Sequence, residues 1–370
     1  MTLSRRALLA ATPGLVFLGS SLGAAQVSDA TGRLYLSGGA DASLGHHVAA
    51  INHEGGTVSA QRLPDRGHAV AVSPDRMSAV ICARRAGRFA SVIDLSTLTI
   101  THQIDAAQDR HFYGHAVYSR DGARLFATEN AFDAGEGRIG HYDVAGGYRR
   151  IAEWPSFGVG PHELALSSDG RVLVVANGGI LTHPDSGREP LNLDTMAPNL
   201  AFIDVLTGAL IRRIDLPRSL RLLSSRHLAV GKDGTIAVVM QYQGDEGDAP
   251  PLVALVQGDR DMRMFSAPEP IQLAMANYCG SVAFDRSGAV FGVSSPRGNM
   301  FTFWTSAGDF LSNVSIADGC GIAPAAENAT FVLSSGNGGF WRYDIASAQL
   351  SRLAGEAAPI AHWDNHLTAV

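Results

Sequence analysis

Lysine is almost missing from this sequence of 370 residues. Lys232 is the only one, so arginine supplies nearly all of the positive charge, and the formal net charge is −6 at pH 7. No dense cluster of basic residues is present, which argues against a nucleic-acid partner. Charged residues make up 17% of the chain and apolar residues 46%, a balance typical of a folded globular protein and not of a disordered one.

Cysteine and the common catalytic motifs are also scarce. The three cysteines are Cys82, Cys279 and Cys320, and no CxxC or CxxCH motif occurs, which excludes a thioredoxin-type site and covalent c-type haem. An odd number of cysteines leaves at least one thiol unpaired even in an oxidising compartment. There is no GxSxG, HExxH or P-loop motif, and no GxGxxG between a strand and a helix. The sequence therefore names no catalytic residue.

The first residues have the features of an export signal. Arg5 and Arg6 precede a weakly apolar stretch rich in alanine and glycine, and Gly23 and Ala25 fit the small positions of a cleavage site. The arginine pair is typical of twin-arginine signals, and an ordinary secretory signal is the alternative. We expect residues 1–25 to be this signal and residues 26–370 to form one domain in the periplasm, without stable membrane insertion.

The remainder of the chain contains an internal repeat. One pattern occurs seven times: a short apolar run, a polar turn and a second strand-like run. Examples are SVIDLSTLTITHQI and AFIDVLTGALIRRIDL. Each interval has room for two further strands. Four short strands per repeat predict an all-β, seven-bladed β-propeller. RLYLSGG (33–39) has no inner strand before it and NHLTAV (365–370) is an inner strand with nothing after it, so their pairing is expected to close the ring.

Five of the predicted inner strands begin with a histidine in nearly the same phase: His68, His115, His162, His227 and His366. Inner strands run along the central channel of a propeller, so these imidazoles should converge, with at least three close enough to share one ion. Imidazole is a ligand for copper, iron and zinc. The alternative is a structural role, in which each histidine bonds to a neighbouring blade or to water.

In the two remaining blades, Cys279 and Cys320 lie close to the position that the histidine occupies in the other inner strands. Cys320 is a candidate metal ligand, because thiolates favour copper(I) and zinc. Its alternatives are a nucleophile beside a histidine or a disulfide with Cys279.

Further polar residues flank the predicted channel. Glu163 follows His162, and Glu129 and Asn130 end a strand, so these residues could bind a ligand or support a liganding histidine. Arg110, Arg226 and Arg297 could hold a carboxylate or a phosphate. A long loop in the fourth blade (177–199) carries a concentration of polar groups that suggests a lid over the channel mouth: Asn177, His183, Arg188, Asp194 and Asn199.

Several motifs resemble a known bacterial family of exported proteins, domain of unknown function 1513. They include RHFYGHAVYSRDG, GVGPHELALSSDG, the blade-four loop ANGGILTHPDSGREPLNLDTM, and WDNHL. The resemblance spans about residues 30–370 and implies a twin-arginine-exported propeller. Genes of this family often lie beside those of imelysin-like iron-regulated proteins and di-haem oxidoreductase-like proteins, which implies a link to periplasmic iron or other metal handling. The cysteine of NYCGS departs from the family pattern, which leaves any role of Cys279 less supported than that of Cys320.

These observations favour a monomeric periplasmic binding protein whose channel mouth holds a transition metal (copper or iron) or a small anion, or docks a metal-handling protein. The alternatives are a metal-dependent redox enzyme and a lactonase-like hydrolase that use the channel histidines. Fold alone does not decide among these functions.

The export signal gives a direct test. Replacing Arg5 and Arg6 with lysine should block export, because the twin-arginine route depends on the pair. Cell fractionation and the N-terminal sequence of the mature protein measure this, with cleavage expected near Ala25. Unaffected export would identify an ordinary secretory substrate.

Overall fold

The computed structural model describes residues 33–370. The predicted export signal lies outside these residues. Within them, no helix has the length and apolar character needed to cross a membrane.

Residues 33–370 fold into 29 strands and very little helix. In chain order the strands are β1 (Tyr35–Asp41), β2 (His46–Ile51), β3 (Thr57–Arg62), β4 (Gly67–Val72), β5 (Ser78–Ala83), β6 (Phe89–Asp94), β7 (Thr99–Asp105), β8 (Arg110–Tyr118), β9 (Arg124–Ala131), β10 (Glu136–Asp143), β11 (Arg149–Pro155), β12 (Pro161–Leu166), β13 (Val172–Asn177), β14 (Asn199–Asp204), β15 (Leu210–Asp215), β16 (Leu223–Val230), β17 (Ile236–Tyr242), β18 (Val253–Val256), β19 (Arg263–Phe265), β20 (Ser281–Phe284), β21 (Val290–Ser295), β22 (Met300–Thr305), β23 (Phe310–Ser315), β24 (Gly319–Pro324), β25 (Thr330–Ser335), β26 (Phe340–Asp344), β27 (Gln349–Arg352), β28 (Ile360–Trp363) and β29 (Thr368–Ala369). The helical segments are α1 (Glu269–Ala274) and four single 3-10 turns, Pro184–Ser186, Leu193–Thr195, Arg218–Leu220 and Pro296–Gly298.

These strands form seven antiparallel sheets. Blade 1 contains β1 to β3 with β28 and β29, and blades 2 to 7 take four consecutive strands each, from β4–β7 to β24–β27. The first strand of each of blades 2 to 7 lies innermost, and inner strands of successive blades contact one another. The prediction of an all-β, seven-bladed propeller is confirmed.

The hydrophobic core lies between the blades. Middle strands such as β5 and β17 are almost entirely buried, because the sheets pack face to face and cover both sides of these strands. Their sequences are accordingly short continuous apolar runs, as expected for strands buried on both faces. The outermost strand of blade 2, β7, is mostly exposed, and its only apolar residues are Ile100 and Ile104.

The two ends of the described chain close the ring as expected. Tyr35 and Leu36 of β1 pair with Ala369 and Thr368 of β29. Further along β1, Gly39 pairs with Trp363 of β28. The inner strand of blade 1 is therefore built from the C-terminal residues, which covers an edge that would otherwise be open. The residues between β28 and β29 interrupt this strand, a detail the sequence pattern did not predict.

Closure gives a stability test at Leu367. This side chain is 5% exposed and packs with Tyr35 and Trp363 in the seam where the ring closes. Leu367→Ala should lower the free energy of unfolding by about 2–5 kcal/mol, because it leaves a cavity in that seam. Urea denaturation measures this loss. Leu206, which is 87% exposed, is the matched control, and Leu206→Ala should leave the midpoint nearly unchanged. Equal midpoints for both variants would contradict a closed seam.

Candidate functional site

Irregularities in the inner strands set the positions of the channel histidines. The ladder between the first two strands shifts register in four blades close to the histidine, between Gly67 and Val70, between Phe112 and Ala116, between Pro161 and Glu163, and between Ser225 and His227. The fifth histidine, His366, lies in the gap between β28 and β29. A β-bulge re-aims the side chains beside it. Here the result is that the imidazoles meet in the channel.

The structure brings all five predicted histidines together. In nine of the ten pairs that they form, the ring centroids lie between 4.4 Å (His68 to His366) and 6.4 Å (His68 to His227) apart. Within two sets of three histidines, one ring nitrogen of each member lies within 4.8 Å of the corresponding nitrogens of the other two. These trios are His68, His115, His162 and His115, His227, His366, so His115 belongs to both. Four members are at most 8% exposed, and His162 is half-buried. We call these five residues the histidine cluster.

Two acidic side chains orient the imidazoles. Asp364 Oδ1 accepts a hydrogen bond from His68 Nδ1 at 2.8 Å, and Glu163 Oε2 accepts one from His227 Nδ1 at 2.9 Å. The other oxygen of Glu163 lies 3.5 Å from His115 Nδ1. A proton on Nδ1 leaves the lone pair on Nε2. The Nε2 of His68 faces the Nε2 of His366 at 3.2 Å, so the two rings share one hydrogen bond.

Burial keeps the cluster uncharged. Burial disfavours the charged ring and holds the pKa well below the usual range in four members, His115, His162, His227 and His366. Repulsion from neighbouring imidazoles is the second cause. Burial also lowers the pKa of His68, although Asp364 opposes this. The rings are therefore neutral near pH 7, which is the form that binds metals.

The two carboxyl groups differ in their ionisation. Burial opposes ionisation of Asp364, but the hydrogen bond from His68 and the charges of Arg84 and Arg66 hold its pKa well below the usual range. Burial raises the pKa of Glu163 to about 8. A cation held by the imidazoles would favour the ionised form of Glu163.

A cavity of about 240 Å³ opens above the histidine cluster. His68, His162 and His227 are among the residues that line it. Five arginines line it, with no aspartate or glutamate among the lining residues: Arg84, Arg85, Arg188, Arg226 and Arg297. We call it the arginine cavity.

Several ligand-binding residues predicted from the sequence belong to this region. Arg188, Arg226 and Arg297 line the arginine cavity, and Glu163 lies beneath it against the histidines. Arg226 also approaches the cluster, with Nη1 3.5 Å from His162 Nδ1. The blade-four loop reaches the cavity through Arg188.

Other predicted residues are placed inside or on the rim of the blades instead. Glu129 is fully buried in blade 3, where its carboxylate accepts hydrogen bonds from Tyr142 and Arg150. Asn130 donates to Thr182 O and so fastens the blade-four loop. Asn177 donates to Ser156 O and Asn199 Oδ1 within blade 4. Their side chains are committed to the fold, and none of them lines the arginine cavity.

The rest of the predicted set also lies apart from the cavity lining. His183 contacts Asp133 at 3.3 Å, and Asp194 is exposed on the loop. Arg110, considered for anion binding, is paired with Glu153 and Asp109.

The predicted thiolate ligand is not part of the histidine cluster. Cys320 Sγ lies 3.8 Å from Trp363 O and packs in the apolar seam between blades 7 and 1. Cys320 and Cys279 belong to different apolar clusters, and all three cysteines are buried and free, so the alternative of a Cys279–Cys320 disulfide is not found. Burial raises the pKa of the Cys320 thiol to about 12, which makes it a poor nucleophile and a poor ligand.

Asp364, Arg84 and Arg85 are functional candidates that sequence reasoning missed. Asp364 stands two residues before His366 in WDNHL, and this proximity was the available signal. Arg84 and Arg85 directly follow the buried strand β5. Two adjacent charged residues at the end of a buried strand were the available signal, because they indicate that the strand ends at a polar cavity or at solvent.

The fold and the site define a class: a seven-bladed β-propeller with a histidine cluster in its channel. The sequence profile of the family described as "Protein of unknown function (DUF1513)" matches residues 61–370, and the chain belongs to this family. No curated protein is detectably similar in sequence. The structure is similar to a chain of Kuenenia stuttgartiensis hydrazine synthase, with a TM-score of 0.61 and 14% identity over 84% of this chain and 89% of that one. At this identity the likeness shows the fold alone.

Gly114 gives a test of how the cluster is packed. Its φ is +105°, and an added Cβ would lie 2.5 Å from His68 Cδ2. Gly114→Ala should lower the free energy of unfolding by about 1–3 kcal/mol from backbone strain and, in addition, shift the imidazole resonances of His68 in NMR spectra.

Gly147 is the matched control, because its φ is +70° and an added Cβ would meet nothing within 4 Å. Gly147→Ala should show the strain without the shift at His68. Unchanged His68 resonances in Gly114→Ala would contradict this packing.

Proposed function

We propose that this protein binds a transition-metal ion in its central channel through the histidine cluster. The observation that carries the proposal is the Nε2 atom of His115. It is buried, has no hydrogen-bond partner among the described residues, and belongs to a residue shared by both potential ligand trios. A buried polar atom without a partner is costly, and a metal ion would satisfy this one.

The surroundings of the cluster support the same function. Liganding histidines in metalloproteins usually donate their other ring proton to a carboxylate, which fixes the tautomer. Asp364 has this relation to His68, and Glu163 has it to His227. Neutral rings bind metal without first losing protons.

The donor set indicates the kind of metal. With Cys320 in the core of the seam, the ligands are imidazole nitrogens without a thiolate, a set that suits copper(II), zinc or iron(II) more than copper(I). Because His68, His162 and His227 line the arginine cavity, a bound ion would be reachable from it.

The cellular setting is part of the proposal. We infer a periplasmic protein linked to iron or other metal handling, on the basis of the twin-arginine-like residues 1–25 and the family resemblance. A metal-handling protein partner would approach the channel mouth, where the blade-four loop lies.

Metal titration of the EDTA-treated protein tests the proposal. The parent protein should take up one copper(II) or zinc ion per chain in competition with a chromogenic chelator. His115→Ala should lose this binding, because it removes a ligand from both trios. Glu163→Gln should weaken it by about 10–100-fold, because it disturbs the orientation of His227.

His102→Ala is the matched control, since His102 is exposed on the outer strand β7, and it should bind as the parent does. Circular dichroism and thermal melting establish that each variant is folded. A parent protein that takes up no metal, or a folded His115→Ala variant that binds like the parent, would show that the histidines are structural.

A further inference from the structure

The arginine cavity carries more positive charge than its surroundings neutralise. One nearby carboxylate, Asp364, is shared: Oδ2 is hydrogen-bonded to Arg66 and lies 3.8 Å from Arg84, while Oδ1 bonds His68. Arg85 reaches a neutral hydroxyl, that of Thr182, at 3.4 Å. Arg297 stacks over the ring of Tyr278, with its guanidinium carbon 4.6 Å from the ring centroid.

Arg226 is the clearest case of an uncompensated charge. Its Nε atom is buried without a hydrogen-bond partner among the described residues, and its one polar contact is the neutral His162. Burial, followed by repulsion from Arg85, lowers the pKa of Arg226 to about 10, so the group is still charged at pH 7. A half-buried guanidinium without a counter-charge is unfavourable, and an anion in the cavity would remove that cost.

The lining also selects a kind of anion. Guanidinium groups bind carboxylates through two parallel hydrogen bonds, and five of them surround this cavity. Neutral hydrogen-bonding groups stand between them, including Tyr113, Tyr242 and Gln241. The volume of about 240 Å³ holds several waters or a small organic molecule. One tetrahedral ion would leave most of this space and several of the arginines unused.

We propose that the arginine cavity binds a small polycarboxylate, a molecule with two or three carboxylate groups. Its outer carboxylates contact Arg188 and Arg297 at the mouth, and its inner carboxylate contacts Arg226 above the histidine cluster. Binding of the anion does not require the metal. Only a further consequence rests on the proposed function: the inner carboxylate is placed to supply an oxygen ligand to an ion held by the trio His68, His115 and His162, two members of which line the cavity.

Calorimetric titration of the metal-free protein with citrate tests the inference. Citrate should bind with one site per chain and raise the melting temperature. Arg226→Gln should weaken citrate binding by about tenfold or more, because it removes a charge-assisted pair from a half-buried position. Arg297→Gln, a change at an exposed position, is a second variant and should weaken binding in the same direction.

Three controls make the result specific. Arg149→Gln changes the net charge equally at an exposed site on β11 and should bind citrate as the parent does. Phosphate and sulfate should bind at least about tenfold more weakly than citrate, since each offers a single anionic centre. His115→Ala should keep citrate binding, because His115 does not line the cavity.

The outcomes separate the two proposals. No heat and no thermal shift with citrate, or equal binding by the parent and the Arg226→Gln variant, overturns the polycarboxylate site. Phosphate binding as tightly as citrate overturns the class of ligand. Citrate binding in a parent protein that takes up no metal supports this inference and refutes the metal site.

Discussion

The packing of five imidazoles at the centre of the channel is the constraint on which the rest of the structure depends. Nine of the ten ring pairs have centroids 4.4–6.4 Å apart, and rings this close tolerate one another only while they are uncharged. Burial favours that state, and Asp364 and Glu163 lie at hydrogen-bond distance from Nδ1 of His68 and His227. His115 Nε2 is left without a hydrogen-bond partner among the described residues, and this atom supports the proposed metal site.

Ring closure and site formation depend on the same residues. The segment between β28 and β29 contains both Asp364 and His366, so the strands that complete blade 1 also place a carboxylate against His68 and Arg66 of blade 2. Thr368 extends this contact by donating to Val70 O. Loss of closure would consequently disturb the cluster directly, and not only through global stability.

Much of the architecture could be predicted from the sequence, because blade count follows from repeated strand and turn patterns. The shared phase of five histidines also indicated the channel. The position of a residue along the inner strand does not by itself give the direction of its side chain, because a β-bulge can turn the side chain away from the channel axis. Cys320 shows this: the ladder of blade 7 shifts between Gly319 and Ile322, and the thiol packs towards Trp363. Glu129 ends a strand as a channel residue would, yet Arg150 and Tyr142 hold it within the blade.

The most direct test of the central claim is an X-ray absorption spectrum of the zinc-loaded protein at the metal edge. If the histidine cluster holds the zinc, the spectrum shows a first shell of nitrogen or oxygen neighbours at about 2.0–2.1 Å with the multiple scattering of several imidazoles. Sulfur neighbours at about 2.3 Å would place the ion at a cysteine, and a shell without imidazole scattering would place it elsewhere on the molecule. Either result would contradict a metal centre built from the histidine cluster.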